Sequence, residues 1–152
     1  MSEFTYNPVQ AVALNTAAIL NTSIRCPKGY VIHEDESGIL ILRGVVNNPC
    51  GRFARYQITA SGNMAVPPSG TAGPIAVALA VNGESRLTSR AIVTPAAVDE
   101  YFNFTSTAII DVPVGCCFSV SLRNVAASED PTVTPAPTIN IQNLNVDVTR
   151  VA

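Results

Sequence analysis

Residues 108–124, AIIDVPVGCCFSVSLRN, hold the pattern on which the rest of the chain is built. Ile109, Ile110 and Val112 are apolar and β-branched, which suits an extended, half-buried backbone. Pro113 has no N–H to give to a ladder, so the strand stops there or lies at an edge. Gly115 supplies the positive φ that a tight turn requires. Beyond it Phe118, Val120 and Leu122 alternate with Ser119, Ser121 and Arg123. A period of two turns one set of side chains inward and the other outward. The expectation is strand, turn and strand, with no catalytic motif.

The flanking sequence repeats this grammar. Residues 74–82, PIAVALAVN, set Ile75, Val77, Leu79 and Val81 against Ala76, Ala78 and Ala80. Both faces are apolar, so this strand is expected to be buried on both sides, with the alanines near a subunit contact. Asn82-Gly83 is a tight-turn pair, and residues 89–94 follow as the antiparallel partner. Residues 9–14, 30–32, 39–46 and 53–64 read as further strands. Residues 95–98 read as one helical turn and 99–110 as a strand. In residues 138–148, TINIQNLNVDV, the alternation slips near Asn143, which predicts a bulge. Residues 66–73 and 128–137 are turn-rich loops. That makes about nine or ten strands at roughly ten-residue spacing, without amphipathic helical windows. The pattern predicts an all-β, antiparallel two-sheet sandwich. Residues 1–8 read as an N-terminal arm and 9–152 as a single domain.

Composition narrows the function classes. A chain of 152 residues suits one domain with a real core. Hydrophobic residues make 47% and charged residues 13%, about half the usual charged share. No apolar run approaches the roughly 18 residues of a membrane helix, so no membrane partner is expected. The apolar surplus points instead to buried subunit contacts. Net charge is −2, with nine scattered basic residues, which excludes a nucleic-acid footprint. The opening MSEFTYNPVQ lacks a signal peptide's basic region and apolar core, so no classical export is expected.

Candidate chemistry is thin, and no catalytic residue, metal or cofactor is expected. His33 stands beside Glu34, Asp35 and Glu36 and reads as part of a solvated loop, since one histidine cannot build a usual transition-metal site. Adjacent Asp99 and Glu100 would face opposite ways on a strand and cannot flank one glycosidic bond. The segment SGTAG, residues 69–73, lacks the Lys-Ser/Thr of a phosphate loop. Phe102 and Phe104 share a face and read as core, with Tyr101 opposite. Cys26, Cys50, Cys116 and Cys117 lack zinc spacing and read as buried thiols, with disulfides as the alternative.

PIAVALAVNGE (residues 74–84) and VPVGCCFSVSLRN (residues 112–124) resemble the tumour-necrosis-factor-like jelly roll. Complement globular heads and bacterial spore-surface collagen-like proteins share that pattern. The resemblance spans residues 39–148. Cys116 and Cys117 depart from it, standing where an acidic residue and its neighbour often follow the glycine. The chain also looks like head-decoration and head-fibre proteins of bacterial viruses. This resemblance implies a jelly roll, a homotrimer, and a structural role on a virion surface with the major capsid protein as partner. The alternative is a receptor- or glycan-binding module on a fibre, cell or spore surface. Phe4, Tyr6 and Pro8 are the expected attachment residues. Two aromatics near a terminus make efficient anchors, and Pro8 keeps the arm extended.

Overall fold

The computed structural model describes residues 1–24, 29–45, 51–130, 132 and 138–151. Twelve strands are found among them: β1 (Ser2–Tyr6), β2 (Gln10–Ala13), β3 (Thr22–Ile24), β4 (Val31–His33), β5 (Leu40–Arg43), β6 (Phe53–Ala65), β7 (Ile75–Val81), β8 (Glu84–Ser85), β9 (Ala91–Val93), β10 (Phe102–Pro113), β11 (Cys117–Val125) and β12 (Thr138–Arg150). They form two antiparallel sheets, as expected. The first runs β10-β6-β12-β1-β3, with β2 also on β12. The second runs β4-β5-β11-β7-β8, with β9 also on β7.

The 108–124 stretch does not fold into a paired hairpin. β10 belongs to the first sheet and β11 to the second, so the turn is a corner between layers. β10 ends at Pro113, opposite Phe53, on the outermost strand of its sheet. The Cys116 N–H donates to Pro113 O at 3.2 Å, and Gly115 has φ 71°, which closes a type II turn. Gly44 N–H donates to Cys116 O at 2.9 Å from the facing strand end. A Cβ on Gly44 would collide with the Pro113 carbonyl oxygen, so only glycine allows this approach.

Two other turn readings hold. Asn82 (φ 53°) and Gly83 (φ 84°) form the tight link from β7 to β8. The β12–β6 register shifts between Gln142 and Asn145, and Asn143 has φ 54°. Residues 95–98 form bends and a turn instead of a helical turn, and a 3₁₀ turn occupies Leu87–Ser89.

The core lies between the sheets. Tyr56, Ile58, Met64, Ile139, Ile141 and Leu144 come from the first, and Leu40, Leu42, Val77 and Leu79 from the second. The buried Tyr56 hydroxyl donates to Arg43 O across the layers, satisfying the one polar atom of its ring.

Residues 2–6, expected within a free arm, are an interior strand. β1 pairs with β12 on one side and β3 on the other, with Phe4 opposite Val146 and Ser23. Phe4 is completely buried, its ring 5.1 Å from that of His33 and edge-on to it. The alternation of Phe4 and Tyr6 with Thr5 is strand alternation, and burying a phenyl ring in the core outweighs leaving it in water. Phe4→Ala should therefore destabilise the fold by about 3–5 kcal/mol. Deletion of residues 1–7 should remove an inner strand and leave a chain without cooperative urea unfolding. Circular dichroism and denaturant titration check both.

Candidate functional site

The outward face of the first sheet carries a row of polar side chains on β6, β10 and β12. β6 turns Ala54, Tyr56, Ile58 and Ala60 inward, and so turns Arg55, Gln57, Thr59, Ser61 and Asn63 outward. Register sets Asp111, Ile109, Thr107, Thr105 and Asn103 beside them on β10. On the other side Thr149, Asp147, Asn145 and Gln142 face Gln57, Thr59, Ser61 and Asn63. Directly opposed residues lie within reach of each other's side chains.

These side chains are linked. Asn103 Nδ2 donates to Asn63 Oδ1 at 3.5 Å, Asn63 Nδ2 to Asn143 Oδ1 at 3.1 Å, and Asn143 Nδ2 to Asn7 Oδ1 at 2.7 Å. The bulge at Asn143 brings that residue into the row. Thr59 and Thr107 hydroxyls meet at 3.3 Å. Glu3 accepts from Asn145 Nδ2 at 2.6 Å and lies opposite Asp147 in the β1–β12 register. Partial burial, and then the Glu3 charge, raise the Asp147 carboxyl above its ordinary range. At the far end Arg55 grips Asp111 through two bonds of 2.7 and 2.9 Å and lies 5.0 Å above the Phe53 ring. The Arg55 hydrogen bond holds the Asp111 carboxyl below its ordinary range. Amides and hydroxyls in this arrangement can hydrogen-bond a partner.

A cleft of about 730 Å³ opens beside β10 and β8, lined in part by Arg55, Asp111, Glu84, Arg86, Ile109 and Phe118. Arg86 Nη1 donates to Ile109 O at 2.9 Å.

The residues singled out from sequence do not form one surface. Phe4 is in the core, Tyr6 packs partly buried against it, and Pro8 is exposed beside Val9, itself 50% exposed. Ala76, Ala78 and Ala80 are already fully buried in a single chain. Arg123 lies opposite Ala78 and its Nη1 reaches Gly83 O at 2.9 Å, so its stem runs along the alanine face. Val125 and Ala127 pack against Ala76 and Ala78. The alanines thus serve the chain's own packing.

Other expectations are also corrected. His33 is 2% exposed and not part of a solvated loop; its Nε2–H donates to Ser37 O at 2.8 Å. Glu34, Asp35 and Glu36 are exposed. Asp99 and Glu100 lie before β10 in a loop, where Glu100 Oε2 accepts from Ala97 N–H at 3.2 Å. Phe104 is core, whereas Phe102 at the strand start is 38% exposed. Cys116 and Cys117 are free and both exposed, since the turn places them outside the sandwich. Cys26 and Cys50 lie outside the described residues. Among the described residues no group of three His, Cys, Asp or Glu side chains is placed to hold a metal ion. The outward face went unread because period-two Thr, Ser, Asn and Gln look like ordinary solvent-facing positions; the signal was their lack of charge.

No family model matches the sequence, and no curated protein matches it. Solved structures do match in three dimensions. The Eiger TNF of S. frugiperda superposes with a TM-score of 0.63 at 10% identity, covering 100% of this chain and 92% of that one. The chain has a TNF-like jelly-roll fold. The globular domain of zebrafish complement 1qA superposes with a TM-score of 0.57 at 8% identity, covering 96% and 94% of the two chains. At these identities the likeness of the jelly rolls is one of fold.

Two substitutions separate the roles of these faces. Ala78→Glu should bury an unpaired charge and abolish folding of the single chain, read by circular dichroism. Asp147→Asn should stabilise the protein at neutral pH. With its folded pKa raised above the unfolded value of 3.8, Asp147 binds more protons folded than unfolded, so its contribution falls as pH rises through that window. The stabilisation should vanish below the unfolded value, as urea titrations at neutral and acid pH would show.

Proposed function

We propose that this jelly roll is a non-enzymatic structural protein that assembles as a homotrimer and decorates a larger particle, a phage capsid. The observation that carries the reading is the outward face of the first sheet. Its β6–β10 side, Thr59 to Asn63 with Asn103 to Thr107, holds no charged side chain. Groups near a threefold axis meet their own images, so like charges there repel and uncharged hydrogen-bonding groups are favoured. On the neighbouring strands the face carries Asp147 and Glu3, and partial burial and then the Glu3 charge raise the Asp147 pKa. The TNF-like fold supports a binding or structural module. The trimer and the capsid come from the likeness to head-decoration and head-fibre proteins of bacterial viruses.

With Phe4 in the core, attachment to the particle falls to the exposed turn at Asn7, Pro8 and Val9. Light scattering should give a mass near three chains, and Ser61→Arg should give a folded monomer. A monomeric wild type at micromolar concentration would overturn the trimer. The protein should co-sediment with undecorated phage heads, and Val9→Glu should weaken that without changing the scattering mass. Failure to co-sediment would remove the capsid and leave an assembly module.

A further inference from the structure

The cleft beside β10 and β8 has a chemistry that self-assembly does not use. Both strands are the outermost of their sheets, and they do not pair with each other. The gap of about 730 Å³ between them matches a small-molecule site. Its polar groups are held in place. Asp111 fixes the Arg55 guanidinium through two bonds, and each carboxylate oxygen keeps accepting capacity. Arg86 is anchored through Nη1 to Ile109 O and keeps its other N–H donors. Glu84 stands exposed beside it. Two guanidinium groups and two carboxylates cancel in charge. Between them lie apolar surfaces, Ile109 at 58% exposure and Phe118 packed partly against the core.

Planar donor and acceptor forks without net charge disfavour a phosphate or an ammonium ligand, each of which needs an excess of the opposite sign. They suit a neutral ligand carrying adjacent hydroxyls on a ring with an apolar face. We propose that this groove binds a neutral saccharide. Asp111 and Arg86 take neighbouring hydroxyls, and the C–H face lies on Ile109 and Phe118.

The test is amide-resolved NMR on the full chain in its solution assembly. Glucose, galactose, mannose, N-acetylglucosamine and their β-linked oligomers are titrated to millimolar concentration, with sulfate as the charged control. The expected result is saturable shifts at residues 84–86 and 109–111 with at least one saccharide, and none with sulfate. Arg86→Ala and Asp111→Asn should each weaken binding by about tenfold. Arg86→Lys keeps the charge without the planar fork, and should also bind weakly if Arg86→Ala fails to fold. No response to any saccharide, shifts elsewhere, a stronger response to sulfate, or unweakened variants would each overturn the proposal. Scattering on the same samples reports assembly separately, so failure of the trimer leaves this test intact.

Discussion

Pro113, Gly115 and Gly44 meet where the chain leaves one sheet for the other, and the sandwich depends on that corner. β10 must end where its partner β6 begins, and β11 must start beside β5. The proline ends the first ladder, the glycine at φ 71° reverses the chain, and the missing side chain at Gly44 lets the two backbones touch. A paired hairpin would have kept both strands in one layer and left no second sheet to close the core.

The first sheet makes a further demand on topology. β1 and β12 pair near the opposite ends of the chain, Ser2 facing Val148. Its interior strands form only when distant segments meet, so loop-closure entropy opposes assembly until late contacts compensate. Phe4 is part of that compensation, a full phenyl ring buried against His33. The N-terminal segment is therefore a structural member, and the surface it was expected to offer reduces to the turn after it.

The two outward faces then take different work. On the second sheet the alanines of β7 are closed over by Arg123, Val125 and Ala127, and add nothing for another copy to bury. On the first sheet the polar side chains hydrogen-bond one another in a row from Asn103 to Asn7. Cross-linking these amides fixes their orientation before any partner arrives, which lowers the entropy cost of using them. On β6 and β10 the outward charge is confined to one end of the pair, where Arg55 and Asp111 neutralise each other beside the cleft.

Alternation, turn residues and charge are local properties, and the sequence alone determined what depends on them. The all-β class, the antiparallel sandwich, the Asn82-Gly83 turn and the slip at Asn143 were all legible there. Which sheet a strand joins is not local, because a strand with one apolar face satisfies either layer. Tertiary structure alone decided that β10 and β11 separate, that the first strand lies inside its sheet, and that the alanines are covered by their own chain. His33 shows why: its acidic neighbours predict solvent, but strand phase turns its ring inward against Phe4, a residue 29 positions earlier. The candidate sites were hidden for the same reason. Arg55, Asp111 and Arg86 carry no motif in sequence; pairing β6 with β10, and β8 with β7 at the facing edge of the other sheet, brings them together.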